Sequence, residues 1–258
     1  MRFASLGSGS AGNALLVESS AGGAPRRLLI DCGFGPRELS RRLARLGLAV
    51  DDLDAIVVTH EHGDHVGGVP AVARRFEIPV HLTWGTLSAL SARAFGDAPL
   101  HLIEPSKVFE VAEFAVEPVA VPHDAREPVQ FVIDDGQSRL GVLTDLGHGT
   151  AHITRCFARL SALVLECNHD EQLLAQGNYP PALKRRIAGP YGHLSNREAG
   201  QILAALDRSA LACVVAAHLS EHNNHPDLAR AALLGHGGIA ADMLRVADQE
   251  EGVEWTLV

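Results

Sequence analysis

Thr59-His60-Glu61-His62-Gly63-Asp64-His65 follows directly on the apolar run Ala55-Ile56-Val57-Val58. Three imidazoles and the Asp64 carboxylate, with Glu61 between the first two, therefore fall within six residues, His60 to His65. A buried strand that ends in such a cluster can aim several ligand atoms into one cleft. Neutral imidazole and carboxylate suit zinc, manganese or iron, and ligands packed this closely suit more than one ion. The chain holds 14 histidines, so a polar loop rich in His is the plainer alternative. The ordered H-x-H-x-D-H spacing favours metal binding, provided the rest of the chain supplies the missing ligands.

Working outward, one event recurs: an apolar strand closes on a single ligand-type residue. Leu28-Leu29-Ile30 ends in Asp31, which either starts a turn or accepts the N–H of a ligating His and fixes its tautomer. Phe114–Val121 closes on Pro122-His123-Asp124. A lone His is usually structural, but His123 stands at a strand end as His60 does, and Asp124 reads as a turn or orienting residue. A hairpin of Val129–Ile133 and Arg139–Leu143 across Asp134-Asp135-Gly136 leads to Thr144-Asp145-Leu146-Gly147. Asp145 can bridge two cations through its two oxygens, or cap a helix expected over Gly149–Arg159. Ala162–Leu165 leads to Glu166-Cys167-Asn168-His169-Asp170, and Ala212–Ala217 leads to His218-Leu219-Ser220.

Between these strands, Pro36–Leu46 reads as a helix opened by proline and stopped by Gly47. Val66–Phe76, Leu87–Phe95 and Asp227–Leu234 also have helical spacing, while Val80–Leu82, Leu100–Ile103 and Val108–Val111 read as strands and Val253–Val258 as a sheet edge. Ser195-Asn196-Arg197-Glu198 has the form of a capping box for a helix over Asn196–Leu206. It places His193 just ahead of a helix N-terminus, where the dipole favours anions and lowers an imidazole pKa. Lys184-Arg185-Arg186 reads equally as a solvated helix face or a basic substrate contact.

Gly7-Ser8-Gly9-Ser10-Ala11-Gly12 matches G-x-G-x-x-G after the strand Met1–Leu6. A dinucleotide loop must open a helix, whereas Ala14–Glu18 is a short apolar run that ends in Ser19-Ser20-Ala21-Gly22-Gly23-Ala24-Pro25, which is turn chemistry. A β-meander fits better, with the glycines letting the backbone pass close to a bulky group or a ligand.

A chain of 258 residues, 47% apolar and 21% charged, fits one large domain or two small ones. The four cysteines are scattered with no C-x-x-C, which excludes a zinc ribbon, argues against disulfide stapling and points to a reducing cytosol. Met1–Gly7 turns to glycine and serine before a signal-peptide core could form, and no run approaches the ~18 apolar residues of a membrane span. The net charge of −9 argues against nucleic-acid binding through global charge. It does not exclude a nucleic-acid substrate, because bound dications would reverse the local field.

Taken together, Asp31, His60-x-His62-x-Asp64-His65, His123, Asp145 and His218 resemble, in order, the motifs of the metallo-β-lactamase fold superfamily, over nearly the whole chain. Gly7–Asn13, Thr144–Gly147, Glu166-x-Asn168-His169-Asp170, Gly192–Asn196 and His218-Leu219-Ser220 resemble its YycJ/WalJ-like branch, metal-dependent exonucleases acting on double-stranded DNA. Glu166 and His193 also resemble the acid/base pair of the tRNase Z group. His222 is a departure, standing where an acidic residue is expected before Asn223-Asn224.

The resemblance implies one domain over residues 1–258, an α/β (α+β) four-layer αββα sandwich. It implies two divalent metal ions, zinc foremost with manganese or iron admissible. His60, His62 and His123 would hold one ion; Asp64, His65 and His218 the other; Asp145 would bridge and Asp31 would stand behind. A metal-bridging hydroxide would attack a phosphodiester, with Asp64 counted in the catalytic set and His193, assisted by Glu166, as general acid. DNA is the favoured substrate, with Ser195, Asn196, Lys184 and Arg185 as candidate contacts. The same fold admits a hydrolase of thioesters, lactones or cyclic phosphodiesters, which the acidic charge and 5% aromatics fit. It also admits a non-catalytic regulatory or interaction module, against which the complete ligand set speaks.

Overall fold

The computed structural model describes residues 1–258. Strands β1 (Arg2–Gly7), β2 (Ala14–Ser19), β3 (Arg26–Ile30), β4 (Ala55–Val57), β5 (Val80–Thr83) and β6 (Leu100–Ile103) line up in chain order in one sheet. The second sheet contains β7 (Phe109–Val111), β8 (Phe114–Ala120), β9 (Val129–Asp134), β10 (Arg139–Leu143), β11 (Ala162–Glu166), β12 (Cys213–Ala217) and β13 (Leu244–Val246), again in chain order. The last strand, β14 (Val253–Leu257), returns to pair antiparallel with β1. Each sheet is mixed: β1–β3 and β7–β10 are antiparallel, while β3–β6 and β10–β13 are parallel. The expected meander over the first three strands is present.

Alternation along the strands builds three apolar layers. Leu28, Ile30 and Val57 face inward and meet Phe131, Val142 and Val164 of the opposite sheet. Leu29, Ile56 and Val58 face outward under α1 (Pro36–Arg45) and, after the one-turn α2 (Gly63–Val66), α3 (Val69–Phe76). Leu163, Leu165 and Val214 of the second sheet face outward in turn, against Ile153, Ile202 and Leu233. These strands read as near-continuous apolar runs because both faces are covered. The outcome is two mixed sheets flanked by helices, the αββα arrangement expected.

Helix boundaries differ from the expected ones where capping outweighs apolar spacing. The helix expected over Leu87–Phe95 is instead α4 (Trp84–Ala89) plus a 3₁₀ turn over Ala92–Phe95, because Thr83 caps Thr86 N–H and the chain turns extended at Leu90. Val66–Phe76 is interrupted after α2 because Gly68 must pass against the Phe34 carbonyl, where a Cβ has no room. α5 runs only over Ala151–Cys156, capped by the Thr150 hydroxyl, so Asp145 is not a helix cap. α6 (Glu171–Gln176) and β13 were not anticipated, and α7 (Pro181–Ile187) gives the basic run the helix that one of its two readings required. α8 (Asn196–Ala205) opens on the expected capping box of Ser195 and Glu198, and α9 (Pro226–Gly235) is capped by His225.

Candidate metal centre

β3, β4, β10, β11 and β12 all run parallel to a neighbour and release their C-terminal ends at one edge of the sandwich. β8 points the same way as β10, through two antiparallel steps across β9. The residues after these ends, Asp31, Thr59–His65, His123, Asp145 and His218, therefore meet at one mouth between the sheets. Asp31, Asp145 and His218 have φ of +58°, +52° and +55°. Left-handed backbone costs a non-glycine residue free energy and persists where the surroundings enforce it, so each strand end turns sharply to present its side chain.

Two ligand groups result. His60 Nε2 and His123 Nε2 lie 2.9 Å and 3.2 Å from His62 Nδ1. Asp64 Oδ2 lies 3.3 Å from His218 Nε2 and 3.5 Å from His65 Nε2. Within each set the donor atoms fall within 4.8 Å of one another. Asp145 stands between the sets, with Oδ2 2.9 Å from His65 Nε2 and Oδ1 4.0 Å from His123 Nε2. Its Oδ2 is buried and has no hydrogen-bond donor besides the facing His65 ring nitrogen. A buried carboxylate set between two clusters of imidazole and carboxylate donors is costly unless cations compensate it, so the donor set fits two divalent ions with Asp145 shared.

Behind these ligands the sequence hides a relay. Asp31 Oδ1 accepts the Thr59 N–H at 2.8 Å and its Oδ2 accepts the Thr59 hydroxyl at 2.7 Å. The hydroxyl proton being spent, Thr59 Oγ1 accepts from His60 Nδ1 at 2.9 Å, leaving His60 Nε2 as the lone-pair nitrogen. Asp31 Oδ2 also stands 2.8 Å from His65 Nδ1, which frees His65 Nε2 in the same way. His123 Nδ1 reaches the Gly192 carbonyl at 3.0 Å. The turn-glycine loop contributes from the far end of the chain: Ser8 Oγ accepts the His218 N–H at 2.8 Å, and Asn13 Nδ2 donates to Asp64 Oδ2 at 3.2 Å. Thr59, Ser8 and Asn13 were missed as site residues. Thr59 stands beside the cluster, and Ser8 and Asn13 lie in the glycine loop already read as a place of close approach.

Glu166, fully buried, is the second organiser. Its Oε1 stands 2.7 Å from His193 Nδ1 and 3.2 Å from His218 Nδ1, while Oε2 accepts the Leu146 and Leu194 N–H groups at 3.1 Å and 3.2 Å. His193 lines the mouth, and its Nε2 has no protein partner.

The electrostatics divide the ligands. Burial, reinforced by the neighbouring imidazoles, pushes His60 well below the usual histidine range, and burial lowers His123. Burial also opposes the charged forms of His65 and His218, but Asp145 with Asp31, and Asp145 with Asp64 and Glu166, outweigh it. His65 is held well above its ordinary value and His218 is raised to about 10. For Glu166, burial is outweighed by His193 and His218, and its pKa falls to about 2. His193 is raised, since Glu166 overcomes its burial. The lowering expected from the α8 dipole does not win: a carboxylate at 2.7 Å dominates a helix end two residues away.

Not every expected contact reaches the mouth. It is a cleft of 410 Å³ lined by His62, Asp64, Asp145, His193 and His218, with Tyr179, Leu183, Arg186 and Ile187 along one wall. Lys184, Arg185 and Ser195 line a different cavity, of 450 Å³, on the other side of α7. Ser195 is consumed as the α8 cap, and Asn196 is buried in a pair with Asn224. None of these four lines the cleft itself. The face of α7 that carries Leu183 and Ile187 carries Arg186 instead. His222 packs edge-on against Tyr179, and Glu61 accepts the Arg126 N–H.

The Beta-lactamase superfamily domain model matches residues 26–218. Exodeoxyribonuclease YycJ of Bacillus anthracis is 31% identical over 233 residues, covering 89% of this chain and 86% of the relative. Exodeoxyribonuclease WalJ of Streptococcus pneumoniae is 29% identical over 260 residues, covering 98% and 92%. Among solved structures, Zn(2+)-bound PqqB from Methylobacterium extorquens superimposes with a TM-score of 0.72 at 18% identity, covering 100% of both chains. The chain belongs to the metallo-β-lactamase-fold superfamily, and within it stands with the YycJ- and WalJ-like proteins. It is a hydrolase fold whose His and Asp cluster is built for divalent metal. No helix is long and apolar enough to cross a membrane.

Proposed function

We propose that this protein is a dinuclear-metal phosphodiesterase that degrades DNA from an end. The observation that carries this reading is the Glu166–His193 pair beside the ligand cluster, with Oε1 2.7 Å from Nδ1. A nucleotide alkoxide is a poor leaving group and needs a proton, whereas the thiolate released from a thioester leaves without one. A carboxylate that keeps an imidazole charged at the mouth of the cleft serves the first chemistry. The two named exodeoxyribonuclease relatives support the same assignment.

In this scheme His60, His62 and His123 would hold one ion, Asp64, His65 and His218 would hold the second, and Asp145 would be shared between them. The ions would polarise the phosphoryl oxygens and supply a nucleophile from water near neutral pH. His193 would donate the proton from Nε2 to the departing oxygen, and Glu166 would hold the imidazole in orientation and charge. Asp31 and Thr59 would keep the ring nitrogens of His60 and His65 in the ligating tautomer.

The test is digestion of end-labelled single- and double-stranded DNA and RNA by protein of measured metal content, with bis-p-nitrophenyl phosphate and a thioester as small substrates. Stepwise shortening of labelled DNA is expected, with phosphodiester turnover and none of the thioester. Metal-replete protein that leaves every phosphodiester intact while cleaving the thioester would sink the proposal.

A further inference from the structure

The basic run on α7 is split by helical geometry. Leu183, Arg186 and Ile187 face the cleft, and Lys184 and Arg185 face the cavity behind. Arg186 is thereby the only lysine or arginine lining a cleft that carries Asp64, Asp124 and Asp145. Its Nε donates to Asp124 Oδ2 at 2.5 Å, and its two terminal nitrogens have no protein partner. The other Asp124 oxygen lies 3.6 Å from His123 Nε2 and 3.8 Å from His62 Nε2. A guanidinium is thus fixed in orientation by one edge, one carboxylate's width from the ligand imidazoles, with its forked edge open.

We propose that Arg186 binds the phosphate next to the scissile one, gripping its two non-bridging oxygens with both terminal nitrogens. This rests on the phosphodiesterase reading and names the part of the substrate that lies beyond the metals. The planar fork matches phosphate geometry, and anchoring by Asp124 removes much of the rotamer entropy that a free arginine loses on binding. The scissile group belongs at the ligand cluster, and the Asp124 carboxylate stands between that cluster and Arg186. With Asp64 and Asp145 committed to the ions, Arg186 is the one lysine or arginine of the cleft lining that a second phosphate can meet beyond them. A substrate with a single phosphate has no use for the contact; a nucleic-acid strand does.

The experiment uses the metal-loaded enzyme and short oligonucleotides in which each phosphate flanking the cut is replaced, one at a time, by a neutral methylphosphonate. At one flanking position the replacement should raise KM in the wild type by ~10-fold or more, as expected for a charge-assisted bidentate contact. In Arg186→Met, whose metal content should match the wild type, KM for the unmodified strand should already be raised, with kcat little changed. The same methylphosphonate should then add nothing, and Arg186→Lys should recover part of the loss. Losses that simply add at every position overturn the proposal alone. Wild-type enzyme that cuts none of the oligonucleotides overturns the nuclease reading, and this proposal with it.

Discussion

Glu166 Oε1 stands 2.7 Å from His193 Nδ1 with the carboxylate wholly buried, and the same oxygen lies 3.2 Å from His218 Nδ1. One carboxylate therefore serves a candidate proton donor and a candidate metal ligand. Removing the donor and removing its carboxylate should have separable effects. His193→Ala should lower kcat for a DNA phosphodiester by ~10²-fold or more with metal content intact, as for loss of a general acid. Glu166→Gln should in addition move the alkaline limb of the pH–rate profile to lower pH, because Glu166 is what raises His193. It should also weaken metal retention through His218. A profile unmoved by Glu166→Gln would show that His193 is not the titrating acid.

Asp31 and Thr59 offer a test of tautomer control free of backbone strain. Asn tolerates the left-handed conformation that Asp31 adopts at φ +58°, so Asp31→Asn changes the hydrogen bond and spares the turn. It removes the acceptor facing His65 Nδ1 and should weaken metal affinity ~10- to 100-fold in a chelator competition. Thr59→Val keeps the shape but removes the acceptor of His60 Nδ1, so its smaller loss should fall on the His60 group. Wild-type affinity in both variants would show that the relay has no part in holding metal.

Much of this centre was legible because a ligand at the end of a buried strand is a local pattern. Asp31, His60, His123, Asp145 and His218 each follow an apolar run, and parallel pairing then brings those ends together. What was illegible depends on contacts that the local pattern does not carry. The Ser8 hydroxyl caps the His218 N–H from 210 residues away; the glycine loop signalled a close approach, but nothing in it named the partner. The basic run on α7 failed differently. Three consecutive cations cannot share one helix face, and only the neighbours Leu183 and Ile187, set against the cleft, reveal that Arg186 is the inward one. α6 went unseen, and the extent of α7 beyond its basic run was not read, because seven residues or fewer give too little periodicity.

The division of charge between the ligand groups predicts ordered metal loading. Burial pushes His60 and His123 toward their neutral forms, so these two ligands accept an ion with little proton loss. His65 and His218 are held protonated by the surrounding carboxylates, and an ion at their group must displace those protons. At neutral pH the first equivalent of zinc should bind with little proton release and the second with release of about two protons, measured by calorimetry in buffers of differing ionisation enthalpy. Affinity for the second should weaken as pH falls, and that for the first should change less. Equal proton release by both equivalents would contradict the assignment.

Away from the centre, His81 should make folding stability depend on pH. It lies half-buried on β5, one strand in from the sheet edge, stacked on His101 of the edge strand β6 with ring centroids 4.6 Å apart. Burial, aided by His101, lowers its pKa from 6.5 to about 4. Between those values the unfolded chain takes up a proton that the folded chain refuses. The contribution to stability is therefore fully present above pH 6.5 and is lost as pH falls toward about 4. In metal-free protein, thermal midpoints followed from about pH 4 to about pH 8 should fall more steeply on the acid side for the wild type than for His81→Gln, and run parallel above the histidine range. The metal ligands titrate in both proteins and cancel in the difference. Parallel curves throughout would mean that His101, or solvent at this edge, accommodates the charge on His81 without cost.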